Sequence, residues 1–380
     1  MSSRFWPAER EARRVRLREL RRMDDLVAGP ELAAVVHSEL RAWTADPQLA
    51  GVPLETAPQQ SEASVVTSAG IGGSGGDVAA AIESRTARER LTLIASLAQL
   101  SGWVAADAGA PDAALSAFRL GLRAAERGGD RPLAGHLLGG LAQLTAEDGD
   151  PRAALRLARS AQRRAGATAS SGVRSLLALR LAYAAAAGGL RRECEEALAV
   201  AERTAVQRDP RLDPEWLYWF DDAHFAALAG RCQAVLGRSA AAQPLLESAL
   251  RTKRVRYRAA GITGAALATV RLDLGDVDAA CAAATNALIT CVQSGSMRAA
   301  SALRAFDRRL GTAAPVGRRP AAVRDYARLA GEAAPYLPTM RAGPIPLRVA
   351  SHAPADQDRR TSILQDARRE PRRAGGVRPG

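Results

Sequence analysis

The sequence predicts an all-α protein made of about five helix pairs stacked side by side. Three observations predict it. Hydrophobic residues form 47% of the 380-residue chain but aromatics only 4%, so the apolar fraction is rich in alanine and suits helices in close contact. Val, Ile, Thr and Tyr rarely alternate, so the period of a half-buried strand is missing. Between residues 100 and 288 one unit also recurs: a helical stretch, a glycine, a short connection and a second helical stretch.

The elements follow in chain order. Residues 1–50 read as an N-terminal helical segment. In AEREARRVRLRELRRMDDLV (8–27), Val15, Leu17, Leu20, Met23 and Leu26 form an apolar stripe, and Gly29-Pro30 ends the helix. ELAAVVHSELRAW (31–43) predicts a second, shorter helix closed by Asp46-Pro47. Residues 51–79 are rich in Gly, Ser, Gln, Thr and Pro and read as a linker. Residues 80–311 form the repeat body. Residues 312–340 hold one further helix, broken near Pro335, and the basic stretch 341–380 has little that can pack and is expected to be disordered.

Within the repeat body the turn glycines are Gly109, Gly149, Gly189, Gly237 and Gly275, spaced by 40, 40, 48 and 38 residues. Five residues after each comes a small residue (Ala114, Ala154, Cys194, Ala242, Ala280). Twelve after comes another (Gly121, Ala161, Ala201, Ala249, Ala287). Glycine permits the left-handed conformation that ends a helix, and small side chains let two helices approach closely. Asp150 and Asp276, just after their glycines, suit the start of the next helix. These units resemble tetratricopeptide repeats: Gly102, Gly109, Ala114 and Phe118 of the first unit match that pattern well. The others keep the glycine and the small residues but lose several large positions, so the expected architecture is a degenerate tetratricopeptide-like superhelix.

Little of the sequence suggests catalysis. GIGGSGGD (70–77) fits both a dinucleotide-binding turn and a nucleophile elbow around Ser74, but both need a strand–turn–helix frame in a parallel sheet, and the surroundings read as helix. A linker explains the glycines. His37, His136, His224 and His352 have no metal spacing, and His136 and His224 read as packing or surface histidines within helices. Asp221-Asp222 and Glu195-Glu196 read as solvated surface. Cys194, Cys232, Cys281 and Cys291 have no paired spacing and read as reduced, buried thiols. No enzyme activity, cofactor or metal is expected. Without a secretory leader or an apolar span, a cytoplasmic protein with no membrane contact is expected.

Two features point to partners. DPEWLYWFDDAHF (213–225) carries five of the fifteen aromatics, with Trp216, Trp219 and Phe220 on one face if it is helical, and Tyr218 and Phe225 on another. It reads either as a thick contact between repeats or as the aromatic floor of a groove, and the longest glycine interval falls here. Trp103, Trp216, Tyr218, Trp219 and Phe220 are therefore the candidate binding residues. The second feature is charge: the formal net charge is +13, nearly all from arginine. The N-terminal helix and the tail could touch nucleic acid, although eight arginines face five acids in residues 1–25.

LAQLSGWVAADAG (97–109), AAERGGDRPLAGHLL (124–138), DGDPRAALRLARSAQ (148–162), EWLYWFDDAHFAALAGRCQAVLG (215–237) and LDLGDVDAACAAATNAL (272–288) together resemble actinobacterial transcriptional regulators that join an Xre-type helix-turn-helix to a C-terminal tetratricopeptide-like half. The resemblance covers roughly residues 12–311. In those regulators the DNA-binding domain precedes a segment like LRRMDDLVAGPELAAVV, which here begins almost at Met1, so the resemblance implies the repeat half without its helix-turn-helix. It implies a non-enzymatic regulator whose repeats bind effectors or protein partners or form a homodimer. The expected function is thus a regulatory module binding a peptide or protein segment in a helical-repeat groove. The alternative is a DNA-associated regulator using its basic N-terminal helix and tail.

Overall fold

The computed structural model describes residues 6–45, 75–251, 257–313 and 320–338, with the side chains of 75–83 and 257 outside the description. Residues 51–74 of the expected linker, with Ser74, and the expected tail 341–380 also lie outside the described residues, while residues 75–79 of that linker are the first residues of a helix. All regular structure among the described residues is helical, with no strand. The helices are α1 (Trp6–Leu26), α2 (Pro30–Thr44), α3 (Gly75–Asp107), α4 (Pro111–Gly128), α5 (Arg131–Glu147), α6 (Pro151–Ala165), α7 (Ser171–Ala187), α8 (Arg191–Val206), α9 (Asp222–Val235), α10 (Ser239–Leu250), α11 (Tyr257–Asp273), α12 (Val277–Ser294), α13 (Met297–Ala313) and α14 (Ala321–Ala333).

The helices pack in adjacent pairs: α3 with α4, α5 with α6, α7 with α8, α9 with α10 and α11 with α12. The five turn glycines stand between the two members of these pairs, with φ from 70° to 91°, a region an L side chain rarely adopts. Asp150 and Asp276 cap the next helix by accepting from the backbone N–H of Ala153 and Ala279 at 2.9 and 3.0 Å. The small residues five positions after the glycines are all buried. A Cβ at Gly102 would come within 2.5 Å of the Phe118 ring, so this glycine sets how closely α3 and α4 approach. The apolar core forms two clusters, one running from α1 to α9 and the other from α10 to α14.

The first members of the pairs form a row in which α5 packs on α7, α7 on α9, α9 on α11 and α11 on α13. The row bends until α13 touches α3: Ser296 donates to Asp107 at 2.6 Å, and Met297 lies against Gly109. Helix α1 runs from the middle of α3, where the Trp6 indole donates to Glu89 at 2.9 Å, past Tyr218 to α11, where Arg258 donates to Asp24 at 2.8 Å. Beyond it, Ala28 N–H donates to the Ser294 carbonyl at 2.6 Å.

Two expectations change. On α1 only Leu17 and Leu20 of the predicted stripe are buried, while Val15, Met23 and Leu26 are exposed. The face continues instead through Arg21 and Asp24, one helical turn on. The aromatic stretch 213–225 is not one helix. It begins with a single 3-10 turn (Glu215–Leu217), and α9 starts only at Asp222. Pro214 disfavours helix at the residue before it. Asp213 is held by Ser170 and by Arg208, each at 2.5 Å, while Asp221 caps α9 by accepting from His224 N–H at 2.9 Å. Asp221 is therefore a cap rather than a solvated surface group. The side chain of Asp213 fits because Gly172 has none: a Cβ there would stand 2.5 Å from the carboxylate.

Candidate functional site

A cavity of about 130 Å³ lies inside the ring of first helices and is walled by α1, α3, α5, α7, α9, α11, α13 and the 3-10 loop before α9. Its walls combine apolar surface (Leu100, Leu228, Ile262), aromatic rings (Trp103, Tyr218, Trp219) and five arginines: Arg21, Arg180, Arg231, Arg258 and Arg298. Trp103 and Trp219 are half-buried. Arg298 and Arg180 lie over the Trp103 ring at 4.9 and 5.7 Å from its centroid.

Three of the arginines are neutralised. Arg258 bridges Asp24 and Asp107, both at 2.8 Å, and so ties α11 to α1 and α3. Glu147 takes Arg231 at 2.7 Å and Arg298 at 2.9 Å, tying α5 to α9 and α13, while Arg231 also donates to the Tyr183 hydroxyl at 3.1 Å. The two cations hold the Glu147 carboxyl down to about 2 against the opposing effect of burial. At Asp24 burial dominates instead, and its pKa is pushed up to about 6 despite Arg258.

The other two arginines have no carboxylate partner. Arg180, 2% exposed, donates to the His136 carbonyl at 2.7 Å and to its Nδ1 at 3.2 Å, while its Nε has no partner. Arg21, 7% exposed, has Tyr218 beside it, its guanidinium 6.0 Å from the ring centroid, and its Nη2 is buried without a partner. Burial lowers the pKa of Arg180 to about 9 and that of Arg21 to about 10, so both remain charged at neutral pH. His136 is buried, and burial first, then Arg180 and Arg21, push its pKa well below the ordinary value. Guanidinium is only a donor, so Nδ1 accepts and the imidazole is neutral with its proton on Nε2. Its ring stacks on Trp216 at 4.4 Å and 12°.

The sequence-derived candidates divide between two places. Trp103, Tyr218 and Trp219 come together on the cavity wall. Trp216 and Phe220 belong to the core beneath, 4% and 3% exposed. The aromatic stretch is thus divided between the cavity wall and the core. The shared helical face of Trp216, Trp219 and Phe220 gives way to a loop pinned by Arg208, which donates to the Phe220 carbonyl. The arginine and acid network was missed, although Arg180 interrupts the most apolar window of the chain and Arg21 and Asp24 continue the Leu17–Leu20 face. Glu195 and Glu196 lie at the surface as read, and there they pair with Arg238 and Arg192.

Elsewhere, all four cysteines are buried and free. Among the described residues no group of three or more His, Cys, Asp or Glu could hold a metal ion, and no helix is long and apolar enough to cross a membrane. On α1, Arg10 pairs with Glu89, Arg13 with Glu9, Arg14 with Glu215, Arg16 with Glu39 and Arg18 with Glu11, so these arginines are engaged within the chain. No family model matches the chain, and the comparisons with curated proteins and with solved structures give no match.

Proposed function

We propose that the chain is a non-enzymatic regulatory module, a degenerate tetratricopeptide-like superhelix that receives a peptide or protein segment on its concave side. One observation carries the reading: Trp103, Tyr218 and Trp219, from α3 and the loop before α9, meet on the wall of a single cavity inside the ring of first helices. Large aromatic side chains beside arginine are the groups that anchor most binding interfaces. The likeness of the sequence to Xre-type regulators with a repeat half supports transcriptional regulation as the setting and the cytoplasm as the location.

The test is selection of a displayed random-peptide library on the full chain, with Trp219→Ala as counter-target. Peptides retained by the wild type and lost by the variant support the reading. Peptides held equally by both, or no enrichment at all, overturn it. Fluorescence anisotropy with duplex from upstream of the gene and a random duplex, at physiological salt, tests direct DNA contact. Preference for the specific duplex would favour the DNA-associated reading instead.

A further inference from the structure

The charge inside the ring is incomplete. Five guanidinium groups line the cavity, and four carboxylates stand among them or pair with them: Asp24, Asp25, Asp107 and Glu147. Arg21 and Arg180 are the two that form no ion pair with a carboxylate, although the Glu215 charge acts on Arg21 from a distance, and each has a buried nitrogen without a hydrogen-bond acceptor. A buried charge without a counter-charge is unfavourable, as is the charge left behind when one member of a buried ion pair is removed. A counter-anion brought into the cavity would remove that cost. The guanidinium fork matches a planar carboxylate in geometry. The remaining walls, Trp103, Trp219, Leu100, Leu228 and Ile262, suit an apolar ring. A cavity of about 130 Å³ is slightly smaller than the ~150 Å³ pocket that accepts benzene, so one ring fills it and little more.

We infer that this cavity is a binding site for a monoanionic carboxylate attached to a single aromatic ring, with the carboxylate on Arg180 and Arg21 and the ring against Trp103 and Trp219. The inference rests on the reading of the concave cavity as the recognition site and adds the chemistry of what enters it. The same chemistry has two sources: a free aryl acid, or the terminal carboxylate of a chain ending in phenylalanine.

The experiment is calorimetric titration of the full chain with phenylacetate and with phenylacetamide, and with acetyl-Ala-Ala-Phe as free acid and as amide. Both acids, or one of them, should bind at least tenfold more tightly than the matching amide, and the tighter acid identifies the source. Arg180→Met should abolish that preference while keeping the thermal midpoint at or above that of the wild type, because it removes an uncompensated charge. Arg21→Gln, on another helix, should weaken it at least tenfold and serves should the first variant not fold. Arg192→Gln, on the exposed surface, should change nothing. Amides that bind as well as the acids would overturn the carboxylate assignment and leave the recognition site standing. Absence of binding by all four probes would overturn the inference, while the peptide selection described above decides the recognition reading separately.

Discussion

Replacing Glu147 with glutamine should unlock the ring at its most heavily loaded junction. The carboxylate holds Arg231 at 2.7 Å and Arg298 through two contacts at 2.9 and 3.0 Å, and accepts from Gln143 at 3.2 Å. Both arginines are largely buried, with 13% and 15% of their side chains exposed, and Glu147 itself is one-fifth exposed. Glutamine keeps the shape and one acceptor but removes the charge. The fall of the carboxyl pKa from 4.5 to about 2 corresponds to about 3 kcal/mol of native-state preference for the ionised form. The two arginines left behind are the largely buried partners, so the loss falls at the low end of the about 3–5 kcal/mol that removing one member of a buried pair costs. Because the folded value lies below the unfolded one, this stability is complete above pH 4.5 and is lost as pH falls towards 2. Urea unfolding followed by circular dichroism should therefore show Glu147→Gln less stable by about 3 kcal/mol at pH 7, but by only about 1–1.5 kcal/mol at pH 3. A difference below about 0.5 kcal/mol at pH 7, the size expected of a surface pair, would refute the reasoning, as would a difference that does not vary with pH.

Three further changes have calculable outcomes. Asp24 has a folded pKa of about 6, above its usual 3.8, so its contribution is complete below pH 3.8 and disappears as pH rises through 6. Relative to the wild type, Asp24→Asn should gain about 3 kcal/mol between pH 3.5 and pH 7; a constant difference in paired urea melts would contradict this. A Cβ at Gly135 would stand 2.7 Å from the Ala161 carbonyl oxygen and from the Ala165 methyl, so Gly135→Ala should force α5 and α6 apart and cost about 1–3 kcal/mol in thermal unfolding. Gly311, on α13, has nothing within 4 Å of a built Cβ, and Gly311→Ala should stabilise by about 0.5–1 kcal/mol through helix propensity alone. If the two glycine variants shift the melting temperature in the same direction, the packing distinction between them fails.

The paired helices could be read from sequence because their determinants are local. Each turn glycine and the small residue five positions later act within one helix pair, and both keep their spacing from pair to pair. The cavity was legible only in part. Trp103, Tyr218 and Trp219 stand out because aromatics are rare here, yet helical periodicity gave the wrong local structure for residues 213–221, where Pro214, Asp213 and Asp221 impose a turn. The ionic network joins residues far apart, such as Glu147 with Arg231 and Arg298, each of which alone looks like an ordinary solvated charge on a helix. A local sign of it did exist on α1, where Arg21 and Asp24 continue an apolar face that polar residues would normally leave.

The meeting of α1 with α11, and of α13 with α3, has a consequence for how the chain is made. Stacked helix pairs ordinarily contact only their neighbours, so such arrays can fold unit by unit as they leave the ribosome. Here Arg258 reaches back 234 residues to Asp24, and Ser296 reaches back 189 to Asp107. Synthesis therefore delivers α1 long before its far seat on α11 exists, and Asp24 must wait unpaired until Arg258 emerges. Such distant contacts slow the final step, because chain entropy is lost before they form. Once they close, the first and last pairs no longer fray independently, and the array unfolds as a tied loop rather than from its ends.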